Sequence, residues 1–219
     1  MTDLAAAIRF VPLPSTMISL PIDRRGFPVP WFVSWEDGEP DFRVIGPGKL
    51  VRAVREGRCW VCGGKIGRVK VSVIGPMCAI NRVTSEPASH PACARYAAQT
   101  CPFLANPRMR RNEKDLPEQR REAPGIHLDR NPGVMALWAS LRPSKPFRAE
   151  IGMAGVLFQL GPLHGIEWWA RGRQASRAEV MESIESGLPS LREVAELEGN
   201  GAVEALASAT VNAMRLLPA

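Results

Sequence analysis

Cys59-Trp60-Val61-Cys62-Gly63-Gly64, followed by His90-Pro91-Ala92-Cys93, decides how this chain is read. Each stretch holds two metal-binding side chains with two residues between them, and 27 residues separate Cys62 from His90. Thiolate and imidazole are ligands that a borderline-soft divalent ion such as zinc takes in a closed tetrahedron. The glycines after Cys62 suit a tight turn that brings backbone N–H groups toward sulfur. Four protein ligands leave no position for a reacting water. The spacing therefore predicts a structural Zn²⁺ held by Cys59, Cys62, His90 and Cys93.

Two other cysteines compete for a place. Cys101 lies eight residues beyond Cys93, about 12 Å along a continuous helix, so it could join only if the helix ended early. Cys78 is not excluded by spacing, and its expected role is a buried small hydrophobe. The total of five cysteines is odd and three sit in the metal pattern. A reducing compartment fits this better than a disulfide framework. With no signal-peptide pattern and no apolar run near the roughly 20 residues of a membrane helix, a cytoplasmic protein is expected.

Elements extend on both sides of the metal pattern. Residues 30–35 and 41–45 read as strands joined through Asp37-Gly38, a hairpin signal. A short helix over 48–56, with Leu50, Val51 and Val54 on one side, stops at Gly57. Residues 68–74 alternate basic and apolar like a half-buried strand. Residues 90–99 read as a helix with Pro91 in its first turn. Beyond a charged stretch, strands are expected near 134–138, 155–160 and 166–171. Ser176-Arg177-Ala178-Glu179 is a capping box opening a helix to Gly187. Two further helices follow, from Pro189 to Gly199 and from Ala202 to about Leu217.

The expected fold class is α+β. It comprises an N-terminal β-hairpin and short helix (1–57), a zinc module (58–105), a charged linker (106–130) and a C-terminal strand-plus-three-helix unit (131–219). Hydrophobic residues make up 45% and charged residues 23%, which is globular rather than disordered composition.

Charge is unevenly shared. Residues 59–111 hold eight Lys and Arg against the single acid Glu86, a net +7 on a chain whose total is +6. A focused basic surface attracts polyanions. The candidate nucleic-acid contacts are therefore Lys65, Arg68, Lys70, Arg82, Arg95, Arg108, Arg110 and Arg111. Trp168-Trp169 beside Arg171 and Arg173 offers a stacking platform for bases, although strand alternation turns at least one indole inward.

A Cys-x-x-Cys knuckle, a hairpin, and a helix whose first turn carries the second pair together resemble a treble-clef zinc finger over residues 57–101. The second pair departs from the four-cysteine form by using His90. Pro30-Trp31-Phe32-Val33-Ser34-Trp35, Cys59-Trp60-Val61-Cys62-Gly63, Gly75-Pro76-Met77-Cys78 and the 172–180 stretch are also similar to uncharacterised proteins of bacteria and their phages. That resemblance implies a mobile-element or accessory setting and no activity.

No phosphate-binding glycine loop, hydrolase elbow or His-Glu-x-x-His motif is present. Some treble clefs host nucleases, but His127 and His164, the histidines outside the pattern, lie far from the knuckle in sequence. No catalytic residue is assigned. The reading is a non-enzymatic zinc-binding accessory protein that contacts nucleic acid. The alternative is a protein-interaction factor, an inhibitor or adaptor, that meets an acidic protein surface. A metal-dependent nuclease comes third.

Overall fold

Strand alternation puts two separate cores on the two faces of one sheet. The computed structural model describes residues 4–106, 112, 114–116, 124, 131–149, 152 and 154–219. After a 3-10 turn at Ser15–Met17, β1 (Val33–Glu36) and β2 (Glu39–Ile45) form an antiparallel hairpin. Its turn residues Asp37 and Gly38 have φ of 50° and 83°. Two left-handed residues match the twist of a two-residue hairpin loop, which is why Asp-Gly signalled it. Helix α1 (Lys49–Glu56) follows and stops at Gly57, whose φ is 59°.

Next come β3 (Lys70–Ile74), α2 (Pro76–Asn81), β4 (Val83–Thr84), α3 (Pro91–Thr100) and α4 (Pro102–Ala105). The later part supplies β5 (Met135–Ser140), β6 (Lys145–Arg148), β7 (Val156–Gln159), β8 (Gly165–Ala170) and β9 (Arg173–Gln174). Helices α5 (Arg177–Glu198) and α6 (Asn200–Met214) close the chain. The fold is α+β, as expected, with the cysteine-bearing segment in its middle.

The central sheet has the order β3-β5-β8-β9 and is antiparallel throughout. Because side chains alternate along a strand, Ile74, Ala136, Trp138 and Trp168 face one side. There they pack with Met77 and Ile80 of α2, Val180 and Ile184 of α5, and Ala213 of α6. Val71, Met135, Leu137 and Trp169 face the other side and pack on Ala94 and Ala98 of α3. The sheet thus lies between α2, α5 and α6 on one side and α3 on the other. A smaller antiparallel sheet, β4-β7-β6, flanks it.

Both indoles of Trp168-Trp169 are therefore core residues. Trp168 donates from Nε1 to the Leu216 carbonyl at 2.7 Å, and Trp169 donates to Glu167 at 3.2 Å. Neither is free to act as a base platform.

Three helical features change or extend the sequence reading. Residues 76–81, given no element from the sequence, form α2 with Pro76 in its first turn. The helices expected on either side of Pro189 are one helix, α5, which runs through the proline. Two helices, not three, therefore complete the described C-terminal part. In α1 the apolar side is turned outward: Val51 is 52% and Val54 41% exposed, while Ala53 is buried. On the same helix Lys49 and Arg52 hold their cations over the Trp31 ring, 4.4 and 5.7 Å from its centroid.

The capping box is formed. The Glu179 N–H donates to Ser176 Oγ at 3.3 Å, and the Ser176 N–H donates back to Glu179 Oε2 at 2.9 Å. The Arg173 guanidinium, with that backbone N–H, holds the Glu179 carboxyl down at about 2. A depressed carboxyl stabilises the fold above its unfolded value and loses that effect as pH falls through the folded value. Glu179→Gln should therefore cost about 1 kcal/mol near neutral pH. The gap to the parent should close between about pH 4.5 and pH 2, as read by denaturant titration at several pH values. A gap independent of pH would refute this assignment.

Candidate metal centre

The first ligand pair sits on a tight turn rather than in a helix or strand. The Gly63 N–H donates to the Cys59 carbonyl at 2.8 Å, and the Cys59 N–H to the Gly64 carbonyl at 2.8 Å. Gly63 has φ 72°, and a Cβ built there would lie 2.5 Å from two Trp31 ring atoms. Only glycine satisfies both the left-handed backbone and the contact with the indole. Gly63→Ala should cost about 2–4 kcal/mol, measured by thermal unfolding of zinc-loaded protein. A variant as stable as the parent would contradict that packing.

The second pair is set by β3 and α3. Val71 and Ser89 exchange two backbone hydrogen bonds, 2.9 and 2.7 Å, which delivers the chain to His90. His90 is the residue before Pro91 and has extended backbone, as a pre-proline residue prefers. It therefore caps α3, and Cys93 projects from the first turn. Ala94 and Ala98 of α3 face the sheet, whereas Cys93 and Tyr96 join Met17, Cys59 and Val61 in a third apolar cluster. The centre thus ties the knuckle and the N-terminal segment to the helix that covers one face of the sheet.

Geometry suits one metal ion. One ligand atom from each of Cys59, Cys62, His90 and Cys93 lies within 4.8 Å of the others. His90 Nδ1 is 3.3 Å from Cys62 Sγ and 3.8 Å from Cys93 Sγ. A tetrahedron with ordinary Zn–S and Zn–N bonds has N···S edges of about 3.6 Å. His90 Nε2–H donates to the Lys65 carbonyl at 2.9 Å. That bond leaves Nδ1 with its lone pair toward the sulfurs, the orientation that a ligating imidazole needs. Cys59 and Cys93 are fully buried.

The three sulfurs differ in how readily they ionise. The Cys93 thiol donates to Cys59, and the Cys62 and His90 backbone N–H groups at 3.5 and 3.3 Å add to it, so Cys59 is held down at about 4. The same Cys59 charge, with burial, pushes Cys93 up, and burial raises Cys62. Three thiolates cannot coexist here on backbone N–H groups alone. A divalent cation would let all three ionise. Thr16 Oγ1 lies 3.2 Å from Cys93 Sγ and adds a hydroxyl contact to that sulfur. Thr16 is 77 residues from Cys93 and carries no local sequence signal.

The competing cysteines stay apart. Cys78 and Cys101 are outside the four-residue group. Cys78 belongs to α2 and packs against the core, where burial pushes its thiol up to about 11. Helix α3 does not end early: it runs to Thr100, and Cys101 at its end is not part of the cluster.

Four of the candidate phosphate contacts are already engaged within the fold. Arg95 is engaged by Glu167 through Nε at 2.9 Å and Nη2 at 2.5 Å. Lys70 Nζ donates to the Gly67 and Arg68 carbonyls, both at 3.2 Å. Arg82 has φ 57° and holds its guanidinium 5.9 Å from the Trp138 centroid. Lys65 Nζ donates to the Glu56 carbonyl at 2.6 Å. Arg68 is exposed. Arg108, Arg110, Arg111 and His127, with most of the 106–130 stretch, lie outside the described residues. No described helix is long and apolar enough to cross a membrane. Compared with protein-family models, curated proteins and solved structures, the chain matches none of them.

Proposed function

We propose that this protein is a zinc-binding, non-enzymatic accessory protein whose metal module contacts nucleic acid. The observation that carries the metal half is the convergence of three cysteine sulfurs on a histidine Nδ1 whose other nitrogen is already bonded. That donor set favours zinc over hard cations, which take oxygen ligands. Four protein donors make the ion structural, and its binding energy becomes folding energy. The order of knuckle, strand β3, returning bridge at Ser89 and ligand-bearing helix α3 supports a treble-clef-like module.

The nucleic-acid half rests on charge. The positive excess belongs to the segment that holds the ligands, and three thiolates with one divalent ion would remove only one unit of it. Zinc-loaded protein should bind short single- or double-stranded oligonucleotides with log affinity falling linearly with log salt. Fluorescence anisotropy across a salt series reads this directly. Absence of binding at low salt would refute the nucleic-acid reading and turn attention to an acidic protein surface.

A further inference from the structure

Twenty residues, 49 to 68, carry six cations (Lys49, Arg52, Arg55, Arg58, Lys65 and Arg68) against one acid, Glu56. Two of them, Lys49 and Arg52, lie over one ring, that of Trp31. Trp31 lies against Gly63 of the metal knuckle, and its backbone N–H donates to the Val61 carbonyl at 2.6 Å. Lys49 Nζ and Arg52 Cζ sit over its ring at 4.4 and 5.7 Å from the centroid.

Glu56 is already used twice. It accepts from Arg52 Nε at 3.1 Å and from Arg58 Nε. Arg58 also donates from Nη1 to the Gly63 carbonyl at 3.0 Å. One carboxylate thus serves two guanidiniums, and no carboxylate among the described residues pairs with Lys49 or Arg55. Burial and the two guanidiniums of Arg52 and Arg58 lower the Lys49 ammonium. Cations held together without matching anions are stabilised by an incoming polyanion, whose counterions are released on contact.

The sequence-derived contacts offer less. Arg95 is neutralised by Glu167, and Lys70 is tied to backbone carbonyls. We propose that α1 and the metal knuckle, through Lys49 and Arg52 over Trp31 and the exposed Arg55 of the same helix, form the main surface that seats nucleic-acid phosphates. This rests on the nucleic-acid reading above and moves its principal contact from β3 to α1. The knuckle fixes Gly63 under Trp31, so the metal centre would hold the cation platform in shape without touching the ligand.

Two charge-matched variants of the full zinc-loaded chain test the assignment. One carries Lys49→Gln, Arg52→Gln and Arg55→Gln; the other carries Arg68→Gln, Lys70→Gln and Arg82→Gln. Glutamine keeps helix propensity in α1. Both lose three charges, so a general net-charge effect would weaken them equally. The α1 variant should bind short oligonucleotides at least about tenfold more weakly than the β3 variant, with a salt slope lower than the parent's by about 2–3. Equal weakening, or a β3 variant that loses binding while the α1 variant keeps it, overturns the placement and leaves the nucleic-acid reading standing. A parent chain that binds no oligonucleotide at low salt overturns both. If the α1 variant loses its zinc, Arg55→Glu alone serves instead, because Arg55 is exposed and holds no described contact. It should lose about severalfold in affinity, and unchanged affinity would count against the proposal.

Discussion

Replacing Cys93 by serine should abolish zinc retention and lower stability by an amount on the order of 4 kcal/mol. Cys93 is fully buried, lies at the first turn of α3, and shares a cluster with Met17, Cys59, Val61 and Tyr96. A serine hydroxyl at that place is a poor zinc ligand and leaves two thiols and an imidazole in an apolar setting. The damage should also spread. Helix α3 covers the Val71, Met135, Leu137 and Trp169 face of the sheet, so loosening its first turn exposes that core. Thermal unfolding, with zinc content measured on the same sample, reads both effects. A variant that keeps one zinc and the parent's melting temperature would show that Cys93 is packing, not a ligand. Chelation of the parent should reproduce the variant's unfolding curve.

Trp138→Ala should be about as damaging, at roughly 3–5 kcal/mol. Trp138 is 2% exposed, sits at the middle of β5, and packs among residues of β3, α2 and β8. Its Nε1 donates to the Gly161 carbonyl at 3.0 Å. Truncation leaves a cavity the size of an indole and an unpaired buried carbonyl. Trp138→Phe separates the two effects, because it restores most of the volume without the donor. It should cost about 1–3 kcal/mol. Denaturant unfolding of both variants measures the difference. Equal losses for alanine and phenylalanine would mean that the hydrogen bond, not the packing, dominates at this site.

The metal centre was legible because its signal is local. Two pairs of ligands at fixed spacing and a glycine turn need no knowledge of the rest of the chain. The hairpin was legible for the same reason, since Asp37-Gly38 demands two left-handed residues that few dipeptides tolerate. The face of α1 was not legible. Leu50, Val51 and Val54 share one side, but periodicity does not say which side packs; Val51 and Val54 are exposed, while Lys49 and Arg52 lie over Trp31, eighteen residues before Lys49. Apolar periodicity cannot see a cation–π contact of that separation.

The Trp168-Trp169 pair shows a related limit. Alternation said that one indole must be buried; a helix on each side of the sheet buries both. Helix α5 passes through Pro189 because the helix surface there packs with Leu188 and Leu191 on the core, which outweighs one lost backbone bond. Strand β6, Lys145–Arg148, escaped notice because it is fully exposed and contains Pro146, both features of an edge strand. Thr16 near the Cys93 sulfur is the clearest case of information that only the fold supplies.

Zinc X-ray absorption on protein purified with one zinc per chain reads the coordination shell itself. Cys59, Cys62, His90 and Cys93 predict three sulfurs at about 2.3 Å and one nitrogen at about 2.0–2.1 Å. A shell of four sulfurs, a shell containing oxygen, or a chain that retains no zinc would contradict the account.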